Sequence, residues 1–343
     1  MRRPLAKAVD FLRARVTWHF VGIVLSCGII AVAGYTLYHL LRDVEVAKVT
    51  AALRDTPPHQ IAIAALFVAF AYLTLTFYDL FALRTIGRLS VPYRVAAFAS
   101  FTSYSIGHNI GATVFTGGAV RFRIYSAWGL DVIDVTKIAF VTGLTFWLGN
   151  ACVLGGGMIY EPAVASVIDQ LPAWANRLLG FTGLAAIIAY LIWLLSRKRV
   201  VSITSGWVVT LPNAQLTLVQ IGLGILDLGC SALAMYVLVP DDPHLDFINV
   251  MVAFVLATLL GFASHAPGGV GVFDAAMLVG LHQYAKEELL AALLLFRLLY
   301  YIVPFATALV FLGCRELWMS ARAAAARKRI DHRNLRDGVT PPQ

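Results

Sequence analysis

Glycine interrupts two apolar stretches of this chain, at Thr116-Gly117-Gly118 and at Pro267-Gly268-Gly269. Elsewhere the sequence reads as back-to-back membrane helices. In lipid, non-helical backbone survives only where protein or a water-filled cavity satisfies its N–H and C=O groups. One break in each half of the chain is therefore a pointer to a transport site lined by broken helices near the bilayer midplane. Composition supports the premise. Of 343 residues, 59% are hydrophobic and only 13% charged, against about 25% charged in a soluble domain. The expected fold is an all-α polytopic membrane protein forming a single domain over residues 1–343. It divides into a basic amphipathic N-terminus (1–16), a transmembrane bundle (17–314) and a basic cytoplasmic tail (315–343).

A net charge of +8 raises the question of nucleic acid, and the placement of the charge excludes it. Cations gather at the N-terminus (Arg2, Arg3, Lys7, Arg13, Arg15), in short loops (Arg84, Arg88, Arg94; Arg197, Lys198, Arg199) and in the tail (Arg315, Arg322, Arg327, Lys328, Arg329). This is the positive-inside pattern, with attraction to anionic headgroups added. Cys27, Cys152, Cys230 and Cys314 stand singly in apolar runs and read as core filler. No metal-ligand spacing, Walker A sequence or Ser-His-Asp arrangement occurs, so no cofactor is expected. The first apolar run, Trp18–Leu41, is long enough to span and lacks a clear cleavage site.

Hydropathy and loop charge predict about eight crossings with both termini cytoplasmic. The spans are expected near Trp18–Leu41, Ile61–Leu83, Asp131–Gly155, Arg177–Leu195, Leu216–Val239, Phe247–Phe262, a short Val270–Tyr284 and Leu289–Cys314. The segment Ala96–Val120 has cations at both ends, Arg94 on one side and Arg121 and Arg123 on the other. It therefore reads as a re-entrant hairpin returning to the cytoplasmic side. Residues 264–284 hold the second break, residues 200–214 look interfacial, and the two halves suggest an inverted repeat.

Ionisable residues inside a membrane are costly and mark functional sites by default. The candidates are Asp79, Asp227, Asp274 and Arg297, with Arg121, Arg123 and Lys137 nearer an interface. Arg297 is the sharpest. Tyr300, Tyr301 and Pro304 follow it on one helix face, and Pro304 frees a backbone carbonyl. Arg297 suits a lipid phosphate, or else an internal ion pair with Asp274. Asp274 lies one turn after Pro-Gly-Gly, where it can cap a half-helix or meet substrate. Asp79 reads as a hydrogen-bonded interior residue or as one that meets a coupling ion, and Asp227 as a tightly packed one with a buried polar partner. Around the first break, Ser105 and Asn109 stand one turn apart. Half-helix N–H groups near Gly117, Gly118, Gly268 and Gly269 can receive an anion, with Arg121 and Arg123 either at the cytoplasmic mouth or simply marking that side.

Four segments in order carry a resemblance: Tyr78-Asp79 with Ala82-Leu83-Arg84; Thr116 to Tyr125; Pro267 to Asp274; and Arg297-Leu298-Leu299-Tyr300-Tyr301. Together they resemble the transmembrane flippase region of the bacterial lysylphosphatidylglycerol synthase/flippase (MprF) family, over about 60–315. Full-length members add a cytosolic domain that aminoacylates phosphatidylglycerol from aminoacyl-tRNA. Residues 315–343 are too few for such a domain, so the resemblance implies lipid translocation without synthase activity. The family's acidic residue after Pro-Gly-Gly is often glutamate; here it is the shorter Asp274. The expectation is a non-enzymatic, flippase-like protein of the bacterial inner membrane that moves a phospholipid, including an aminoacylated phosphatidylglycerol made by a separate lipid-modifying enzyme. Alternatives are a non-transporting partner of a lipid-modifying or glycosyl-transferring enzyme, or a carrier of polyprenyl phosphate or a small solute. Homo-oligomerisation stays open.

Overall fold

The computed structural model describes residues 44–318, with Tyr35, Tyr38 and Arg42 before them, and omits Ala112, 197–199 and 205–206. Apart from those two tyrosines, the expected first span lies outside the described residues, as do the N-terminal segment and the tail after Trp318. The first element described, α1 (Val46–Asp55), is short. Pro57 and Pro58 then open α2 (Pro58–Thr85), because a proline at the first helical position gives up only an N–H that is unpaired there anyway. The chain continues through α3 (Tyr93–Ile110), α4 (Thr113–Tyr125) and α5 (Val132–Tyr160), whose start is fixed by the Asp131 carboxylate accepting from Asp134 N at 2.8 Å. Then come α6 (Pro162–Asp169), α7 (Ala173–Ser196), α8 (Ala214–Leu238) and α9 (Phe247–Ser264), followed by α10 (Val272–Gly280) and α11 (Lys286–Trp318).

Among the described residues, six helices are long and apolar enough to cross a membrane: α2, α5, α7, α8, α9 and α11. The protein is therefore an all-α polytopic membrane protein, with one exception in 200–214. Val200–Thr204 and Trp207–Thr210 pair as a short antiparallel ribbon, β1 and β2. The β-branched and aromatic content of these residues suits strand pairing. Half of the most apolar window of α5 and of α8 is buried, against 17% for α7. Hence α5 and α8 are central and α7 is peripheral, with Leu178, Phe181, Ile188 and Leu195 exposed as expected of a lipid-facing surface. The core gathers α2, α8, α9, α10 and α11 around Phe254, Phe273 and Phe296, the last two rings stacked 6.1 Å apart.

Two expectations change. The first break is not at Gly117 and Gly118, which lie within α4. It falls at Gly111, whose φ of 83° and ψ of −179° belong to a region open essentially to glycine alone. Arms α3 and α4 pack on each other as the re-entrant hairpin expected from the flanking cations, with its turn displaced by six residues. Second, Val270–Tyr284 is not a crossing. Helix α10 has nine residues, about 14 Å, and turns back along α9: a Cβ on Gly280 would lie 3.1 Å from Ala253 Cβ. Thus α9 and α10 form a second helical hairpin around Pro267-Gly268-Gly269.

Helices α5 and α8 cross at Gly149 and Gly224 with their backbones in contact. A Cβ added at Gly149 would lie 2.6 Å from Gly224 Cα, so any side chain forces the helices apart. Small residues are the common device for such close approach in lipid. Gly224→Val is expected to destabilise the fold by about 1–3 kcal/mol or more through overpacking. Gly229→Val, where a Cβ meets nothing within 4 Å, is expected to be close to neutral. Thermal denaturation in detergent, followed by loss of the monodisperse species, checks the pair.

Candidate functional site

The two hairpin turns meet. A Cβ on Gly111 would lie 3.3 Å from the His265 carbonyl oxygen and 3.3 Å from Pro267 Cα. His265, Gly268, Gly269 and Gly271 all have positive φ, so the α9–α10 turn cannot continue as helix. Opposite the turn, α11 itself loosens into a π-helical stretch at Leu298–Ile302. Pro304 has no N–H to return to the Tyr300 carbonyl four residues earlier. That carbonyl instead accepts from the Tyr72 hydroxyl of α2 at 3.0 Å. The next one, Tyr301 O, accepts from Asn109 Nδ2 at 3.0 Å. Asn109 also donates to Ser105 O at 2.8 Å. Three loosened backbones are thereby stitched together, as burial of unpaired backbone groups requires.

Arg297 projects into this junction. Its Nε and Nη2 donate to Asp274 Oδ1 and Oδ2 at 2.9 and 2.7 Å, and its Nη1 donates to Gly268 O at 3.1 Å. Arg297 thus forms the internal ion pair with Asp274. Asp274 also accepts from Gly271 N at 2.9 Å, so it caps α10 while holding the arginine. The side chains of Arg297 and Asp274 remain 14% and 15% exposed. Tyr301 lies under the guanidinium, 5.6 Å from its carbon. Gly268 is buried against Tyr301 and Arg297, and the half-buried Gly269 packs on Gly261.

Arg121 is displaced from its expected place. It does not sit at a mouth; it is buried, and it forms a bidentate pair with Asp79 of α2. Nε and Nη2 donate to the carboxylate at 3.0 and 2.8 Å, and the Tyr125 hydroxyl donates to it at 2.8 Å. The reason is helical spacing. In an uninterrupted α4, Arg121 falls one turn after Gly117, on the face turned toward α3, where a Cβ on Gly117 would lie 3.2 Å from Ser103 O. Arg123, two residues on, points outward and pairs with Glu316 of α11 at 2.7 Å, largely exposed. Gly118 has open space around its Cα and makes no part of the site.

A path of rings joins the two ion pairs. Arg121 lies 4.8 Å from the Tyr104 ring, Tyr104 lies 5.5 Å from the His108 ring, and His108 lies parallel to Tyr300 at 6.3 Å. Tyr300 contacts Tyr301 at 5.2 Å, which returns to Arg297. Tyr78, edge-on to Tyr104, donates to Asp227 Oδ2 at 3.3 Å. Four side-chain atoms in this region, Ser103 Oγ, Ser105 Oγ, His108 Nδ1 and Asp227 Oδ1, are buried without a well-formed hydrogen bond. Groups of this kind are normally met by water or by a polar ligand. Among the described residues no cluster of His, Cys, Asp or Glu can hold a metal ion.

Reading the sequence missed Gly111, the Asp79–Arg121 pair and the link through Tyr104. A signal existed for the first two. Gly111 follows Asn109-Ile110 where a helix stop is expected. Asp79 and Arg121 are opposite charges in apolar surroundings, each in need of a partner.

Comparison with known proteins gives the family. A family model described as the lysylphosphatidylglycerol synthase TM region matches residues 20–308. The uncharacterized Synechocystis protein slr0712 is 32% identical over 252 residues, 73% of this chain and 78% of that one. The inner membrane protein YbhN of Escherichia coli is 28% identical over 277 residues, 78% and 84% of the two chains. A phosphatidylglycerol lysyltransferase of Staphylococcus epidermidis is 42% identical over 71 residues, 20% of this chain and 8% of that one.

Removing one partner of a buried ion pair costs about 3–5 kcal/mol, whereas replacing both by apolar residues is close to neutral. Asp79→Leu is therefore expected to melt far below the parent. The double variant Asp79→Leu/Arg121→Met should recover most of the loss. A double-mutant cycle on melting temperature measures the coupling; independent, additive losses would contradict the pairing.

Proposed function

Because the chain belongs to the family of the lysylphosphatidylglycerol synthase TM region, we propose that it translocates a phospholipid between the leaflets of a bacterial inner membrane. The observation that carries this reading is the meeting of two helical hairpins at Gly111 and Pro267 beside a partly exposed arginine. The headgroup passes between the hairpin tips while the acyl chains stay in lipid, so the barrier is that of the headgroup alone. Arg297 takes the phosphate in exchange for Gly268 O and one oxygen of Asp274. Its planar fork can trade a carboxylate for a phosphate without leaving the junction. Tyr300, Tyr301, Ser105 and Asn109 supply polar contacts during passage. Sealed on Asp79, Arg121 holds the first hairpin closed and does not meet substrate.

Loop charge orients the bundle. The end bearing Arg84, Arg88, Arg94, Arg123 and Arg315 is cytoplasmic, and both termini follow. The protein acts as a transporter, not an enzyme. An aminoacylated phosphatidylglycerol is one candidate cargo, supplied by a separate lipid-modifying enzyme. One observation favours the rival, a non-transporting partner of such an enzyme: Arg297 and Arg121 both have internal carboxylates.

Dithionite bleaching of labelled phospholipid in liposomes decides between them. The parent protein is expected to accelerate bleaching of the inner leaflet. Arg297→Ala should slow it about tenfold or more, the worth of a charge-assisted hydrogen bond, and Arg297→Lys should be intermediate. Unchanged bleaching with every phospholipid tested would favour the rival.

A further inference from the structure

A second feature lies apart from the hairpin junction. At the arginine-rich end, a groove of about 620 Å³ opens between the start of α3, the end of α4 and the end of α11. Its walls are apolar, with Val95, Phe98 and Ile124 inside, and its rim carries Arg94 and Arg315. Trp128 and Trp318 also line it and stand 45% and 56% exposed. We propose that this groove binds an anionic phospholipid of the leaflet at that end, its phosphate at the two arginines and the start of an acyl chain along Phe98 and Ile124. The proposal rests on the translocation reading only for its role, as the station from which cargo is drawn toward Arg297.

Charge complementarity selects the occupant. Arg94 and Arg315 line the groove; Glu316 is shared between Arg315 at 3.1 Å and the neighbouring Arg123 at 2.7 Å, and Asp134 at the same end is taken up by Arg88. The balance is cationic, so the ligand is anionic. The chain's own flanking segments do not fit. The residues after Trp318 include Arg322, Arg327, Lys328, Arg329, Arg333 and Arg336 against Asp331 and Asp337, and the segment before Trp18 is also basic. An apolar wall below the cations separates a lipid from a free phosphate, because inorganic phosphate gains nothing from Phe98 or Ile124. Paired tryptophans are the side chains that favour the level of the headgroups.

Native mass spectrometry of the full-length protein tests this, with phosphatidylglycerol, phosphatidylcholine and inorganic phosphate as probes. The parent should retain phosphatidylglycerol over phosphatidylcholine. The double variant Arg94→Gln/Arg315→Gln should lose about tenfold in occupancy, in keeping with the modest attraction of each surface cation for an anionic headgroup. Arg94→Glu, at an exposed position, should change retention in the same direction with an unchanged melting temperature. Inorganic phosphate should not compete. Equal retention of the two lipids, parental retention by the variants, or displacement by inorganic phosphate would overturn the proposal. A protein that retains phosphatidylglycerol in this way yet fails to accelerate bleaching would sink translocation and leave the groove standing.

Discussion

Gly111 rests against the carbonyl of His265 and the backbone of Pro267, and this contact between two interrupted helices organises the centre of the molecule. An interruption exposes N–H and C=O groups that lipid cannot satisfy. Here each loosened segment is met by side chains from another. Tyr72 and Asn109 answer the carbonyls that the π-helical stretch of α11 releases, and Arg297 answers Gly268. Removing any one segment would strand polar backbone of the others. The same requirement explains the polar residues around the junction, which an ordinary helical bundle would have no reason to bury.

The ion pairs divide the labour. Asp79–Arg121 is fully enclosed, with a tyrosine hydroxyl as third partner, and locks α4 onto α2. Asp274–Arg297 is slightly open, and Asp274 is already committed to capping α10. A carboxylate shared between a helix end and an arginine can release the arginine and keep its cap. The first pair is thus suited to holding a hairpin, the second to exchanging a ligand. The rings of Tyr104, His108, Tyr300 and Tyr301 run between the pairs.

Much of this was legible in the chain itself. Long apolar runs bounded by arginines gave α2, α5, α7 and α8 within a few residues, and Asp131 was readable as a cap. Cations on both sides of Ala96–Val120 required a return to the same face, and Pro267-Gly268-Gly269 announced the second turn because neither proline nor positive-φ glycine sustains a helix. The Asp274–Arg297 pair was one of two readings that the sequence left open. Thr116-Gly117-Gly118 misled: glycine permits a break but also permits close helix packing, and at Gly117 the packing against Ser103 decided. Arg121 followed from that error, since its direction depends on α4 continuing unbroken. The partnership of Asp79 with Arg121 spans 42 residues and emerges only once the hairpin folds back on α2. Nor does the 200–214 segment carry enough residues for its strand pairing to stand out from an interfacial stretch.

The central claim is that the buried polar junction opens to water as the hairpins part. Cysteine chemistry tests this directly, because thiols react with water-soluble methanethiosulfonates only as thiolates, and thiolates form only in water. In a chain whose native cysteines have been replaced, Ser105→Cys, fully buried at the junction, is compared with Leu66→Cys, an exposed apolar position on α2. The account predicts that the buried cysteine is labelled in membranes and the lipid-facing one is not. Equal inertness of both would mean that the junction never hydrates, and would contradict the account.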